Sequence, residues 1–338
     1  MKTEKNRLMD VKTQGVKWFS LALYLTAGFS FSACSDDDGE GGGGAGSGVA
    51  AQQMPKVADA GIQFPVTQYS EYYGSYIETY TYSNGRMTGG SYPYGSISMG
   101  TYSLGIYSIS SNPLVLTEQR DDRSSTFRNI RVNGNGFMTY AELFSDNDRG
   151  SFTWRYDAEG HLLSESGNMT YSDGGSSSWT CTNTWENGNL MNAEFRYEED
   201  GEVDSEVCTF TYGDGQWSNP GVYPAHWIKA TLLEMPILFY SGPMGRTTKN
   251  IPTSVTRIDF DGNETTYNTV AVNYNQDRSI QSIEVQNVSS YGSSYTETYR
   301  FGYADYPIQQ QSGYSATPAW KSPKAVHGMK ARRMMKRK

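Results

Sequence analysis

Trp185-Glu186-Asn187-Gly188-Asn189-Leu190 brings an aromatic residue, an Asn-Gly pair and an aliphatic residue together within six positions. Asn-Gly accepts the positive φ angles of a tight two-residue turn, and the flanking aromatic and aliphatic side chains can pair across the two strands that the turn joins. The pattern therefore predicts a β-hairpin. Further copies occur at residues 82–87, 156–162, 197–203, 260–263 and 274–280, the last with Arg278 where a glycine is expected.

These turn signals are spaced along the chain like the units of a meander. Gly136, Gly160, Gly188 and Gly215 follow one another at intervals of 24, 28 and 27 residues, which is the length of a two-strand unit. The segments between them alternate with period two and are rich in Tyr, Phe and Trp, residues that favour strands. We predict an all-β domain over residues 54–306, a large antiparallel β-meander of roughly 14 to 16 strands. Because an open sheet of that size exposes long edges, it should be closed or nearly closed into a barrel.

One segment interrupts the strand pattern. Between Pro224 and Pro236, five residues fall at the spacing of one helical face: Trp227, Ile228, Thr231, Leu232 and Met235. This spacing predicts one short amphipathic helix near 225–235.

The chain downstream of this segment is similar to a known family. The residues that carry the likeness are Gly245, Lys249-Asn250-Ile251-Pro252 with Val255, the turn from Tyr274 to Ile280, and Tyr299-Arg300-Phe301-Gly302-Tyr303. Over about residues 70–305 the sequence resembles a Bacteroidetes lipoprotein family of unknown function with a porin-like fold. The resemblance implies an antiparallel meander that is closed like a porin barrel and kept soluble. It implies no activity.

The N-terminus has the layout of a lipoprotein export signal. Basic residues precede an apolar run from Trp18 to Ala33, and Cys34 follows at once. We expect residues 1–33 to be a signal peptide, Cys34 to carry the lipid, and residues 34–53 to form an acidic, Gly-rich tether. Ser35-Asp36-Asp37-Asp38 resembles the surface-export signal of Bacteroidetes lipoproteins. The expected location is therefore the cell outer membrane, lipid-anchored and surface-exposed.

Charge is distributed unevenly along the chain. The first 33 residues carry a net +3 and the last 18 a net +8, so that the formal charge of −8 leaves −19 for residues 34–320. An acidic body disfavours nucleic acid as a partner. Residues 307–338 are expected to be a basic, disordered tail, either merely solvated or in contact with lipid phosphates or the acidic body of a neighbour.

The sequence offers little for catalysis, metal binding or membrane insertion. His161, His226 and His327 are scattered, no nucleotide-binding or hydrolase motif occurs, and no pair of carboxylates stands out, so we expect no enzyme, no cofactor and no metal. Acidic turns at residues 145–150 and 198–201 leave calcium open as an alternative. The predicted strands are too polar for the apolar band of a membrane barrel, which argues against a spanning pore.

Cys181 and Cys208 are the two cysteines of the predicted barrel. In the meander they lie on strands that flank the same middle strand, about two strand spacings apart, which is beyond the reach of a disulfide. We expect two free, mostly buried thiols.

A Tyr-rich, Gly-rich stretch provides the candidate binding residues, because exposed aromatic rings suit a ligand platform. The candidates are Tyr72, Tyr73, Tyr76, Tyr92 and Tyr94, with Tyr102 and Tyr107 beyond them. The alternative is that these tyrosines form cross-strand pairs. We therefore expect a non-catalytic binding module for an extracellular ligand such as a glycan, or else a structural or accessory subunit of an outer-membrane or cell-surface complex.

Overall fold

The computed structural model describes residues 53–70, 76–96, 101–111, 113–121, 123–146, 148–199, 202–214, 217–223 and 236–305. Cys34, most of the tether and the basic tail lie outside these ranges. Within them are eighteen strands and one short helix: β1 (Thr67–Ser70), β2 (Tyr76–Ser83), β3 (Arg86–Ser96), β4 (Thr101–Ser111), β5 (Leu114–Gln119), β6 (Ser124–Val132), β7 (Met138–Ser145), β8 (Asp148–Tyr156), β9 (Leu162–Thr170), β10 (Ser176–Glu186), β11 (Asn189–Glu199), β12 (Glu202–Thr211), β13 (Trp217–Ser218), α1 (Pro236–Tyr240), β14 (Asn250–Ile251), β15 (Ser254–Ile258), β16 (Glu264–Tyr274), β17 (Ile280–Ser289) and β18 (Ser294–Gly302).

Sixteen of the strands form one closed antiparallel barrel. Each strand pairs with its neighbour in the chain except where β12 pairs with β15, and β1 closes the barrel by pairing with β18 from Thr67 opposite Gly302. β13 and β14 form a separate two-stranded sheet. The predicted β-meander barrel is therefore confirmed.

The predicted turn chemistry explains the hairpins. At the β10–β11 turn, Asn187 and Gly188 have φ angles of 53° and 78°, as a tight hairpin requires. At the β16–β17 turn, Arg278 itself takes the left-handed conformation, with φ at 69°. The degenerate copy therefore makes a longer turn, of the kind at residues 133–137 and 157–161, with Arg278 in the place of Gly136 and Gly160.

Alternation along each strand separates a packed interior from a polar exterior. On β10, Trp179, Cys181 and Asn183 are buried, whereas the threonines between them are exposed. Interior polar groups meet each other: Glu165 accepts hydrogen bonds from the indole nitrogens of Trp154 at 3.0 Å and Trp179 at 3.1 Å. The described interior of the barrel is thus filled with side chains.

One end of the barrel, here named the capped end, carries the turns at residues 84–85, 133–137, 157–161, 187–188 and 275–279. Residues 53–66, 217–223 and 236–250 cover it: Val57 N donates to Gly85 O, and Met138 N donates to Pro243 O. β1 begins at this end and β18 ends at it, where Val66 N donates to Gly302 O. The chain therefore enters and leaves the barrel at the capped end.

The described helix, α1, belongs to this cap. It begins at Pro236, a residue favoured at the first helical position, and its side chains from Ile237 to Tyr240 are buried. The helix expected near 225–235 falls on residues 224–235, which lie outside the described ranges. Within those ranges, no helix has the length and apolar character needed to cross a membrane.

Candidate functional site

A strap of chain from Gly245 to Ile251 crosses two hairpin turns at the capped end. Arg246 N donates to Gly160 O, and Lys249 N donates to Gly188 O, both at 2.8 Å. Gly245 makes the first approach possible: its φ is 83°, and an added Cβ would lie 2.4 Å from Gly160 O. The strap therefore fastens the cap to the barrel through residues that carry the family resemblance, Gly245 and Lys249-Asn250-Ile251.

Two clefts lie between this strap and the turns beneath it. The larger has a volume of about 940 Å³ and the smaller about 440 Å³, and both are lined by Asn187 and Lys249. Since they share these residues, we treat them as one surface, the capped-end groove. Its other polar and aromatic side chains are Asp157, Glu159, His161, Trp185, Asn219, Arg246, Thr247 and Thr248 in the larger cleft, and Glu186, Asn189, Phe210, Thr211, Tyr212 and Asn250 in the smaller.

A fixed aromatic pair forms one wall of the larger cleft. The His161 ring stacks on Trp185 with 4.5 Å between ring centroids and 20° between planes. The Trp185 indole nitrogen donates to Leu162 O at 2.9 Å, and His161 Nδ1 lies 2.9 Å from Asp157 Oδ2. Both rings are therefore held in place before any ligand arrives.

Asp157 organises the turn that carries His161. Its Oδ1 accepts from His161 N at 2.8 Å. Burial acts to raise the pKa of Asp157, but hydrogen bonds from the His161 backbone and ring outweigh burial, and the pKa lies below its ordinary value. Asp157 thus acts as a charged acceptor that supports the wall of the groove.

The strap that borders the groove carries exposed cations. Arg246 and Lys249 are both exposed, and neither forms an ion pair with any residue that the structure describes. The groove therefore combines a planar aromatic surface, amide side chains and available positive charge.

The tyrosines predicted as ligand contacts are not brought together here. Tyr92, on β3, is 5% exposed and donates a hydrogen bond to Glu118 in the barrel interior, where its ring stacks on Tyr107 at 4.9 Å. Burial, and then the neighbouring Glu118 carboxylate, raises the pKa of Tyr92. Tyr92 therefore belongs to the core and is not a surface platform, because its face of β3 points inward.

The other tyrosine candidates cannot be placed in a site. Tyr76 is the first residue of β2 and Tyr94 lies in β3, but the placement of their side chains is not described. Tyr72 and Tyr73 lie outside the described ranges. Their proposed role stays a prediction. In the sequence, Trp185 belongs to a turn motif and Lys249 is one of the residues that carry the family resemblance. Only the fold brings the two side chains to one groove.

Cys181 and Cys208 are buried thiols that are not joined in a disulfide, as expected from the meander. Among the described residues, no group of three His, Cys, Asp or Glu side chains is arranged to hold a metal ion. Cys34 lies outside the described ranges, so its lipidation stays a prediction.

Comparison with known proteins supports the fold alone. No protein-family model matches the chain, and no curated protein does. A solved porin-like protein from Bacteroides uniformis matches with a TM-score of 0.53 and 16% identity, covering 75% of this chain and 99% of that one. A porin-like protein from Bacteroides vulgatus matches with a TM-score of 0.48 and 13% identity, covering 71% of this chain and 98% of that one. The first of these similarities shows that the chain has the β-barrel fold of porin-like proteins from Bacteroides.

Proposed function

We propose that this protein is a lipid-anchored component of the outer-membrane surface that binds an extracellular glycan, without catalysis, in the capped-end groove. The single observation that carries the proposal is the groove itself, which is lined by the fixed Trp185 and His161 pair together with amide and cationic side chains. Ligand sites typically combine an aromatic or apolar wall with a few placed polar groups, and this groove has that composition.

A sugar suits such a surface for two reasons. Its C–H faces can lie against a planar aromatic ring, and its hydroxyl groups can exchange hydrogen bonds with side chains such as Asn187 and Asn250. Because Trp185 and His161 are fixed by Leu162 O and Asp157, the surface loses little side-chain freedom on binding.

The filled interior supports binding outside the barrel over transport through it. Large side chains such as Phe127, Phe152 and Phe195 are fully buried between the strands. The outer face carries exposed polar residues, for example Thr180, Glu194 and Arg196, where a membrane barrel carries an apolar band. An attachment through lipid on Cys34 is consistent with this polar exterior.

The alternative role, as a structural subunit of a surface complex, depends on exposed strand edges or on a helix near 225–235. Closure of the barrel between β1 and β18 pairs the edge strands with each other. The groove therefore gives glycan binding the stronger support.

The test is binding of purified protein to a glycan array, followed by affinities for Trp185 variants. We expect Trp185→Ala to weaken binding by at least fivefold, from loss of about 1 kcal/mol of stacking, and Trp185→Phe to keep most of it. Tyr291→Ala is the control, because Tyr291 is 82% exposed in the β17–β18 turn at the opposite end. Absence of binding across the array, or equal losses in Trp185→Ala and Tyr291→Ala with unchanged thermal melting, would contradict the proposal.

A further inference from the structure

Arg246 and Lys249 are the basic side chains that line the groove in the described part of the chain. Lys249 lies where the two clefts meet, and Arg246 lines the larger one. They stand three residues apart on the strap, so their Cα atoms are separated by at most about 10 Å. Two anionic groups along one extended ligand can therefore be met in succession.

Glycine turns hold the stems of both side chains. An added Cβ at Gly188 would lie 3.5 Å from Lys249 Cβ and 3.6 Å from its Cδ, so the Lys249 stem runs along that turn. An added Cβ at Gly160 would lie 3.6 Å from Arg246 Cδ, and one at Gly61 would lie 3.7 Å from Arg246 Nη1. These turns thus lie along the Lys249 stem and beside the Arg246 stem and one of its guanidinium nitrogens, while both residues stay exposed.

The charge of the surroundings makes these two cations unusual. Residues 34–320 carry a net −19, yet neither Arg246 nor Lys249 is neutralised by a described carboxylate. Of the carboxylates in the larger cleft, Asp157 is engaged by His161, and Glu159 lies 3.8 Å from the same ring. In such a protein, a local pair of available cations is the feature that allows an anionic ligand to bind.

From this arrangement we infer that the capped-end groove selects an anionic carbohydrate, a linear chain with carboxylate or sulfate groups. Arg246 binds one such group through its planar guanidinium, which matches the paired oxygens of a carboxylate or sulfate. Lys249 binds a second group at the junction of the clefts as a point charge. The sugar rings between them lie over Trp185 and the neighbouring amides. This inference rests on the proposed function, because it names the class of glycan for the same groove.

The experiment compares three oligosaccharides of equal length on the detergent-solubilised full-length protein: oligogalacturonate, a sulfated heparin oligosaccharide and a neutral β-glucan. We expect one or both anionic chains to bind at least tenfold more tightly than the neutral one, with affinity falling as salt is added. Arg246→Gln and Lys249→Gln should each weaken anionic binding at least fivefold and the double variant further, with neutral binding unchanged.

Lys56→Gln is the matched control, because Lys56 is exposed at the same end and its stem also lies on a glycine turn, with its Cγ 3.7 Å from an added Cβ at Gly85. It does not line the groove and should leave affinity unchanged. Loss of anionic binding in Lys56→Gln equal to that in Lys249→Gln would indicate non-specific attraction and overturn the inference.

The remaining outcomes separate the two proposals. If neutral and anionic chains bind alike, or if neutral chains alone bind, the inference fails and glycan binding stands. If none of the three binds and the glycan array is also blank, both fail. Preference for one anionic chain identifies whether carboxylate or sulfate is the group recognised.

Discussion

At Gly245 a single hydrogen atom in place of a side chain lets the cap meet the barrel. The residue combines a φ of 83° with a backbone oxygen, Gly160 O, in the space that a Cβ would occupy. Gly245→Ala should lower the free energy of unfolding by about 2 to 5 kcal/mol, the sum of left-handed strain and overpacking. Chemical denaturation measures this loss.

Gly262→Ala separates the two effects. Gly262 has a similar φ of 76°, but no atom lies within 4 Å of its added Cβ. This variant should lose only the backbone contribution, about 1 to 2 kcal/mol. Equal losses in the two variants would show that the contact between Gly245 and Gly160 does not limit stability.

Individual residues also mark where sequence reasoning succeeds and where it stops. Arg278 could be assigned to a turn because the flanking Asn, Asp and Ile carry the local signal, and its φ of 69° agrees. Tyr92 could not be assigned to a face, because Tyr, Gly, Ser and Pro alternate around it without a hydrophobic bias. Its orientation follows from a partner on β4: the Tyr92 ring covers Gly105, whose added Cβ would lie 2.3 Å from Tyr92 Cε1.

Among the elements, α1 shows how the cap is locked to the barrel. Tyr240, its last residue, accepts a hydrogen bond from Tyr223 N at 3.1 Å and donates to Tyr223 O at 2.8 Å, with Gln68 Oε1 of β1 3.2 Å away. Tyr240→Phe leaves these buried groups unpaired and should cost about 1 to 3 kcal/mol in the free energy of unfolding. Chemical denaturation is the measurement, and Tyr274→Phe is the control.

Tyr274 also donates to a backbone oxygen, Ser218 O at 2.8 Å, but it is 37% exposed, so water can replace that bond. Tyr274→Phe should therefore lower the free energy of unfolding by no more than about 1 kcal/mol. A Tyr240→Phe protein as stable as the parent would mean that α1 is held by apolar packing alone.

The elements differ in how far the sequence predicts them. Each hairpin is local, so turn residues and alternation within about ten positions suffice to predict it. The cap depends on distant contacts, such as the hydrogen bond from the Tyr156 hydroxyl to Pro243 O, across 87 residues of chain. No local pattern carries that information, and the groove, which exists only between cap and turns, was missed for the same reason.

For the whole molecule, closure of the barrel follows from strand number, because so many antiparallel strands would otherwise expose two long edges. The number of strands does not reveal at which end of the barrel the chain enters. Met54 O accepts from Arg86 Nε at 2.8 Å beside the β2–β3 turn, so the tether joins the barrel at the capped end. Since Arg246 and Lys249 lie at that end as well, the groove and residue 53, where the described chain begins, share one side of the molecule.

Under the proposed attachment through Cys34, access to the groove should depend on the length of the tether. The 20 residues from Cys34 to residue 53 are Gly-rich, from which we expect an average reach of about 25 Å, and deletion of residues 41–48 should reduce it to about 19 Å. On cells, the deletion should therefore reduce capture of a long polysaccharide several-fold, while capture of a short oligosaccharide and binding by purified protein remain unchanged. Flow cytometry with fluorescent ligands of both lengths measures the effect, and a scrambled tether of native length is the control. If long and short ligands lose capture equally, the deletion has impaired export or folding; if neither loses capture, the groove does not face the membrane.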